Sequence, residues 1–144
     1  CGIERAKPYH GDATILNPAF GLGSFDRVLC DVPCSGLGVI GKKPDIRYKD
    51  VTQLAGLPRV QAAILENVSR YVRLGGVLLY STCTVLKREN EDIVNAFLAA
   101  HPEFHPECFD APEGAGFGNV PMATLLPHKH GTDGFFICKL RRDA

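Results

Sequence analysis

The chain has 144 residues, of which 45% are hydrophobic, and this length supports one core and one ordinary domain over residues 1–144. Its 16 basic and 16 acidic residues cancel, which excludes attraction of nucleic acid or anionic membrane by the field of the whole domain. No apolar stretch approaches the roughly 20 residues of a membrane span, and the first residues resemble neither a signal nor a transit peptide. A cytoplasmic location is therefore expected.

Six cysteines stand singly in the sequence, at positions 1, 30, 34, 83, 108 and 138. They have neither the density of a small disulfide scaffold nor the CxxC spacing of a zinc site, so reduced thiols are expected. His128 and His130 are candidate metal ligands, but no third ligand has a convincing spacing. No metal site is predicted.

The first feature in chain order is a weakly strand-like segment at residues 7–10, which runs into the turn Gly11–Thr14. This turn carries Asp12. In nucleotide-binding α/β sheets, an acid in such a place often accepts hydrogen bonds from a ribose or an adenine amino group. An aspartate that only holds its own turn is the alternative, and it stays open.

The apolar run at residues 27–30 predicts a buried strand, and the loop Asp31–Gly38 follows its carboxyl end. Open α/β sheets place their ligands at such ends. Pro33 stiffens the loop, and its two glycines permit close backbone approach by a ligand. Because a carboxylate, a thiol and a hydroxyl are gathered here, the loop is predicted to form a functional site.

A basic loop follows at residues 41–49. Its candidate ligands for phosphate and base are the cations Lys42, Lys43 and Arg47 together with Tyr48. Stacking of a base on an aromatic side chain contributes about 1–3 kcal/mol. A solvated surface loop is the alternative, but the position beside Cys34 favours binding of phosphates and a base.

Apolar residues at three- and four-residue spacing from Leu54 to Val72 predict an amphipathic helix that ends at Leu74-Gly75-Gly76. The stripe includes Val60 and Val68. Residues 65–68 resemble a Glu-Asn-Val motif of DNA cytosine methyltransferases. Because Val68 lies on the predicted buried stripe, this match is interpreted as coincidence.

The run Val77–Thr82 predicts a second buried strand, with Cys83 at its end. Acids at 89–92 suit the positive dipole at the start of a helix that His101-Pro102 ends. Beyond it, the pattern predicts an edge strand near residues 104–109. The segments Met122–Leu126 and Phe135–Leu140 are predicted to be the arms of an antiparallel hairpin.

Two thiols and a carboxylate at the ends of neighbouring strands suit alkylation of a pyrimidine at C5. A thiolate that adds to C6 makes C5 nucleophilic toward a methyl group, after which a base removes the C5 proton and the thiolate leaves. Asp31 is placed to hydrogen-bond the base edge during addition. The residues alone leave open whether Cys34 or Cys83 attacks.

Several motifs occur in a fixed order: Asp31–Ile40, 44–47, Tyr80–Leu86, 89–91 and 131–136. Together they resemble those of the RNA cytosine-5 methyltransferases, and most of all the Sun (Fmu) branch of bacterial small-subunit ribosomal RNA methyltransferase B type. The resemblance implies a three-layer, Rossmann-like α/β fold that uses S-adenosylmethionine and acts on RNA, with 16S ribosomal RNA as the expected substrate.

The resemblance also implies roles by position. Cys83 is the nucleophile, and Cys34 assists release of the methylated product. Asp31 lies between the cofactor and the base, Asp12 faces the adenine, and Pro33 contacts the cofactor. The remaining cysteines that match no functional position, interpreted as small core hydrophobes, are Cys30, Cys108 and Cys138.

The chain lacks the first strands, the glycine-rich loop and the ribose-binding acid of that family. It is therefore expected to be the C-terminal portion of a catalytic domain, inactive alone, with weak or lost cofactor binding. The strand at residues 27–31 is expected to have an open edge. Either the displaced N-terminal segment or a second copy of the chain is expected to cover that edge.

Three other interpretations compete with this one. A Cys–His hydrolase would need a histidine near a thiol, and the chain lacks a nucleophile elbow. A DNA cytosine methyltransferase is disfavoured by the Thr-Cys motif and by the helical position of residues 66–68. A non-catalytic RNA-binding module or degenerate paralogue is the main alternative, although both cysteines are intact.

Overall fold

A computed structural model of the chain describes residues 2–111 and 114–143. Its strands are β1 (Phe25–Asp31), β2 (Val72–Thr82), β3 (Phe104–Pro106), β4 (Met122–Leu125) and β5 (Phe135–Arg142). Its helices are α1 (Val51–Leu54), α2 (Leu57–Ser69), α3 (Glu91–Ala100) and α4 (Pro127–His130). Short 3-10 turns occupy Leu37–Val39, Pro44–Tyr48 and Lys87–Glu89. Across the described residues, every helix is too short or too polar to cross a bilayer.

The described strands form one open sheet, in which β1, β2, β5 and β3 are neighbours in that order and β4 also pairs with β5. Strands β1 and β2 are parallel, whereas β5 is antiparallel to β2, β3 and β4. The predicted α/β class, the C-terminal hairpin and the edge strand near Phe104 are confirmed. Among the described residues β1 pairs only with β2, so its other edge is open.

Helices α2 and α3 pack on one face of the sheet. Their apolar side chains, including Leu65 and Val94, form one cluster with Leu78, Tyr80 and Cys138 of the strands. Alternate residues of the strands point to the opposite face, where Leu29 is 67% exposed. Of the three predicted layers, the described residues therefore supply the sheet and this one helical layer.

Helix α2 ends at Ser69, so the predicted end at residues 74–76 is wrong. The carbonyl of Tyr71 accepts a hydrogen bond from the Phe25 backbone N–H at 2.9 Å, and Val72 pairs with Phe25 in the sheet. Because pairing with β1 satisfies the backbone here, the chain continues as β2 instead of as helix.

The glycines of the predicted helix end lie in an irregular part of β2. The register with β1 moves from Phe25–Val72 to Arg27–Val77, which leaves residues 73–76 outside the regular ladder. Gly75 has φ of 70°, a conformation that favours glycine. Leu74-Gly75-Gly76 therefore forms an irregular, bulged part of strand β2. Glycines suit such a bulge as well as they suit the end of a helix.

The buried side of α2 is partly polar. Gln61 and Asn67 are buried, whereas Val60, which was assigned to the buried stripe, is 40% exposed. The Asn67 side chain donates hydrogen bonds to the carbonyls of Ala13 and Ile15, at 2.8 and 3.0 Å. Apolar periodicity does not detect such positions, because the side chains are polar. Hydrogen bonds to distant parts of the chain make their burial possible.

The N-terminal segment contains no strand within residues 2–24. The predicted strand-like character of residues 7–10 is therefore wrong, and this segment does not cover the open edge of β1. It packs instead through aromatic rings: Phe20 lies edge-on to Tyr9, Phe25 and Tyr71, with centroids 5.0 to 5.8 Å apart. Side-chain packing thus replaces the backbone pairing that a strand would need.

The five described cysteines are all free thiols. Cys30 and Cys138 are buried in the core, as the interpretation as small hydrophobes required. Cys108 is exposed, so that interpretation is wrong for Cys108. Strand β3 ends at Pro106, and Cys108 consequently lies in a surface segment.

His101 joins α2 to the end of α3 through two carboxylates. Its ring contacts Glu66 at 2.6 Å and Glu103 at 2.9 Å, and it stacks on Phe97 at 4.4 Å. Burial lowers the pKa of His101, but the hydrogen bonds to Glu103 and Glu66 outweigh burial and raise this pKa above its usual value.

We expect the free energy of unfolding to fall as pH rises through the pKa of folded His101. The protonated form is favoured by folding, so its stabilisation is complete below the ordinary histidine pKa of about 6.5 and is lost above the raised pKa. Urea unfolding followed by circular dichroism between pH 5.5 and 9 measures this slope. Glu66→Gln with Glu103→Gln should flatten it, whereas Asp45→Asn should not; an unchanged slope in the double variant would contradict the assignment.

Candidate active site

The parallel register of β1 and β2 brings the two cysteine loops to one end of the sheet. Asp31 pairs with Ser81 at the ends of the two strands, so the loops that follow begin at the same level. The Sγ atoms of Cys34 and Cys83 lie 3.1 Å apart. The structure thus brings together two candidate residues that are 49 positions apart in the chain.

The third candidate, Asp31, lies at the same end of the sheet. Its Oδ1 accepts a hydrogen bond from the Ser81 hydroxyl at 2.9 Å, and the residue is exposed. The carboxylate is therefore anchored by one oxygen while it remains accessible to a ligand. Pro33, the next candidate along the loop, is also exposed.

The environment of Cys34 favours its protonated form. Burial, followed by the hydrogen bond with Cys83, raises the pKa of Cys34 to about 12. A thiol with this pKa stays protonated at neutral pH. Either sulfur can be the donor of the S–H···S contact.

Sequence reasoning missed a fully buried carboxylate beneath the loop that carries Cys34. The Oε2 atom of Glu89 accepts hydrogen bonds from the Ser35 backbone N–H and from the Gln61 side chain, each at 2.9 Å. The same Gln61 nitrogen donates to the Pro33 carbonyl at 2.9 Å. The sequence pattern predicts that Glu89 interacts with the helix dipole, but α3 begins only at Glu91, and Glu89 is buried in the protein.

Asn90, also fully buried, holds the second cysteine loop. Its Oδ1 accepts a hydrogen bond from the Thr82 hydroxyl at 2.6 Å, and its Nδ2 donates to the Thr84 carbonyl at 3.0 Å. These two threonines flank Cys83. The Ser35 and Thr84 hydroxyls then bond each other at 2.7 Å, which links the two loops directly.

Gly38 is the point at which three backbone segments meet. Its N–H donates to the Cys83 carbonyl at 3.0 Å, and its carbonyl accepts from the Gly134 N–H at 2.8 Å. A Cβ at Gly38 would lie 2.0 Å from the Gly134 oxygen. The expectation of close approach by a ligand is thus wrong for Gly38, because protein backbone occupies that space.

The predicted RNA-binding residues all lie at the surface. Tyr48 is 87% exposed, and the side chains of Lys43 and Arg47 reach solvent. Lys42 forms an ion pair with Asp133 at 2.6 Å. The next cation, Lys49, donates to the Ser35 carbonyl at 3.2 Å, and this bond ties the basic loop to the loop of Cys34.

The cofactor candidates are not gathered in one cavity. Asp12 lines a largely apolar cleft of about 690 Å³ between the N-terminal segment, β1 and α2, whereas Asp31 and Pro33 lie outside it. Thr14 donates two hydrogen bonds to Asp12, from its hydroxyl and its N–H, and they lower the pKa of this carboxyl. The described residues therefore offer separate contacts to a nucleoside cofactor, without a glycine-rich loop, and fit S-adenosylmethionine only in part.

Residues of the rejected interpretations have other partners. Glu66 pairs with Arg70 and His101, and Asn67 holds the N-terminal segment. None of the five described thiols is hydrogen-bonded to a histidine. His130, for example, forms hydrogen bonds with the backbone of Leu126. In residues 2–111 and 114–143, no three His, Cys, Asp or Glu side chains are grouped to hold a metal ion.

Comparison with known proteins identifies relatives of this arrangement. A sequence model of the family described as "16S rRNA methyltransferase RsmB/F" matches residues 1–141. A "Probable ribosomal RNA small subunit methyltransferase B" of Bacillus subtilis is 42% identical over 136 residues, covering 91% of this chain and 30% of the relative. The "Ribosomal RNA small subunit methyltransferase B" of Yersinia pseudotuberculosis is 37% identical over 134 residues, covering 90% and 29%.

Solved structures with a similar fold are also related to this chain in sequence. A crystal structure described as PH0851 has a TM-score of 0.87 and 37% identity, covering 98% of this chain and 32% of that one. NSun6 from Pyrococcus horikoshii with SFG has a TM-score of 0.75 and 33% identity, covering 99% and 36%. The chain thus spans about a third of the length of these proteins. It belongs to the RsmB/F family of 16S ribosomal RNA methyltransferases.

Proposed function

We propose that this chain is the C-terminal part of the catalytic domain of an enzyme that methylates C5 of a cytosine in RNA, with 16S ribosomal RNA as substrate. The observation that carries the proposal is the pair of thiols 3.1 Å apart at the same end of the sheet as the exposed residue Asp31. The names of the relatives support the reaction class and the substrate. A cytoplasmic location follows from the substrate, and recovery in the membrane fraction of lysed cells would argue against it.

In the proposed mechanism the Cys83 thiolate forms a bond to C6 of the cytosine, and the displaced electron pair makes C5 nucleophilic. S-adenosylmethionine, when bound, supplies the electrophilic methyl group. After C5 is methylated, a base removes the C5 proton, the electron pair restores the C5–C6 double bond, and the bond from C6 to sulfur breaks. Cys34 assists this release.

Asp31 is proposed to bond the edge of the base. Its free oxygen faces solvent at the same end of the sheet as the thiols, and Ser81 fixes its orientation. A hydrogen bond from the base to this carboxylate favours proton uptake at N3 while the thiolate adds. The side chains of Lys42, Lys43, Arg47 and Tyr48 are proposed to hold the phosphates and a neighbouring base of the RNA.

We expect opposite effects of the two cysteines on covalent adducts of the full-length enzyme. Cys83→Ala should form no adduct with RNA that carries 5-fluorocytidine, because no thiolate attacks C6. Cys34→Ala should accumulate an adduct with unmodified RNA, because release is impaired. Denaturing gel electrophoresis measures both, and Cys108→Ala is the matched control at an exposed cysteine outside the site.

The same gels include a variant of the basic loop. Lys43→Glu with Arg47→Glu should weaken RNA binding and reduce its dependence on salt, yet leave adduct formation intact at saturating RNA. Exchange of the two cysteine phenotypes would exchange the assigned roles. Absence of any adduct in the unsubstituted enzyme would favour a non-catalytic RNA-binding protein.

The chain alone is proposed to bind S-adenosylmethionine weakly or not at all. Asp12, Asp31 and Pro33 are present, but the donors of a glycine-rich loop, which fix a nucleotide at a helix N-terminus, are absent from the sequence. Isothermal titration calorimetry should give a Kd above roughly 100 μM, against full-length enzyme as the control. SFG, an S-adenosylmethionine analogue named with one relative, provides a second ligand, and micromolar binding of either to the chain alone would contradict the proposal.

The chain alone is also proposed to self-associate through the open edge of β1. An unpaired edge recruits further strands, and Leu29, which lies within β1, exposes 67% of its surface. Sedimentation velocity at about 50 μM should show dimers or larger species, and Leu29→Lys should shift them toward monomer. Tyr48→Lys, at another exposed hydrophobic residue, is the matched control; a monomeric unsubstituted chain would contradict the proposal.

A further inference from the structure

We propose that Glu89 and Asn90 are positioning residues that set the spacing of the two active-site thiols. Each holds one of the cysteine loops, and they are adjacent in sequence. We name this pair the Glu89–Asn90 clamp. The inference deepens the proposed function, on which its catalytic meaning rests, because it concerns the support of the thiols and not the chemistry they perform.

The Glu89 side of the clamp is a buried carboxylate without a cation. Glu89 is fully buried, and none of the described ion pairs includes it. Its Oε2 accepts two N–H donors, from Ser35 and Gln61, whereas its buried Oε1 has no hydrogen-bond partner among the described residues. Because a buried N–H that loses its acceptor is costly, movement of the Ser35 backbone away from Glu89 is opposed, and Ser35 directly follows Cys34.

Gln61 extends this hold to the other side of Cys34. Its side-chain nitrogen donates both to Glu89 and to the Pro33 carbonyl, at 2.9 Å each. The backbone is therefore fixed on the residue before the thiol and on the residue after it. Cys34 is left with its side-chain torsion as its main freedom.

Asn90 holds the loop of Cys83 in the same way, by hydrogen bonds to the residues before and after the thiol. Thr82 donates its hydroxyl to the Asn90 Oδ1, and the Thr84 carbonyl accepts from the Asn90 Nδ2. These contacts also flank the thiol on both sides. Because Asn90 is fully buried, water does not readily replace either contact.

The clamp has a rigid base. The Tyr80 hydroxyl, in the middle of the core, donates to the Glu89 carbonyl at 2.7 Å. Val94 of α3 donates its N–H to the Asn90 carbonyl at 3.1 Å. The clamp is thus hydrogen-bonded to β2 and to α3. Because both elements belong to the packed core, the core fixes the position of the two cysteine loops.

The spacing of two thiols is measurable as their effective concentration in disulfide formation. One glutathione disulfide oxidises Cys34 and Cys83: the two cysteine S–H bonds and the S–S bond of glutathione disulfide break, one S–S bond forms between the cysteines, and the two protons and two electrons give two molecules of glutathione. The equilibrium constant is read by alkylation and mass spectrometry. A background of Cys1→Ser with Cys108→Ser leaves Cys34 and Cys83 as the accessible thiols.

Glu89→Ala and Asn90→Ala should each lower this effective concentration at least tenfold, because one loop is then free to move. Glu89→Gln keeps an oxygen acceptor and should restore the value to within about threefold of the parent. Glu91→Ala is the matched control: its side chain contacts Thr124 at 3.1 Å, outside the clamp, and the effective concentration should not change.

Thermal unfolding by circular dichroism accompanies every variant. If Glu89→Ala does not fold, the effective concentration is measured in Asn90→Ala and Gln61→Leu instead, and it should fall in both. Folded alanine variants with an unchanged effective concentration would overturn the proposal, as would an equal loss in Glu91→Ala. Unfolding of all three variants would also overturn it, because these residues would then serve folding and not positioning. The measurement needs neither RNA nor cofactor, so failure of the methyltransferase proposal would leave it interpretable.

Discussion

The site depends on the parallel pairing of β1 with β2. Parallel strands start and end at the same edges of a sheet, and the register that places Asp31 beside Ser81 starts both cysteine loops at one level. Cys34 follows Asp31 by three residues and Cys83 follows Ser81 by two. A slip by one residue would turn each side chain of one strand to the other face, which would separate the thiols and move Tyr80 out of the core.

Polar side chains beneath the loops convert this approximate convergence into a defined distance. A loop of small residues and glycines has many conformations, and its ordering costs entropy. Here the cost is offset by hydrogen bonds in a buried region, where an unmade bond is expensive. The network of Ser35, Thr84, Glu89 and Asn90 is therefore specific to one arrangement of the two loops. Gly38 adds a steric limit, since no side chain fits between it and Gly134.

Sequence patterns predicted the elements that local rules govern. Apolar runs marked β1 and the end of β2, and two segments separated by the polar, turn-rich residues 127–134 marked the hairpin of β4 and β5. The end of α2 was missed because the backbone of Tyr71 pairs with Phe25, a contact 46 residues away in the chain that no local pattern contains. Glu89 was missed for a related reason: an acid before a helix suits the dipole equally well, and only the tertiary contacts with Ser35 and Gln61 distinguish a buried acid from a surface one.

The contact between the thiols also gives a physical reason for a division of labour. Burial raises the pKa of Cys34, and so does its contact with Cys83, so in the resting site the proton stays on Cys34. In the proposed mechanism, the bond from Cys83 to C6 turns the thiolate into an uncharged thioether, which is a weaker hydrogen-bond acceptor. One cause of the raised Cys34 pKa is then removed while burial remains, and Cys34 becomes more acidic only after the adduct has formed. In the proposed mechanism, the contact between the thiols thus delays the acidity of Cys34 until Cys83 has formed the adduct.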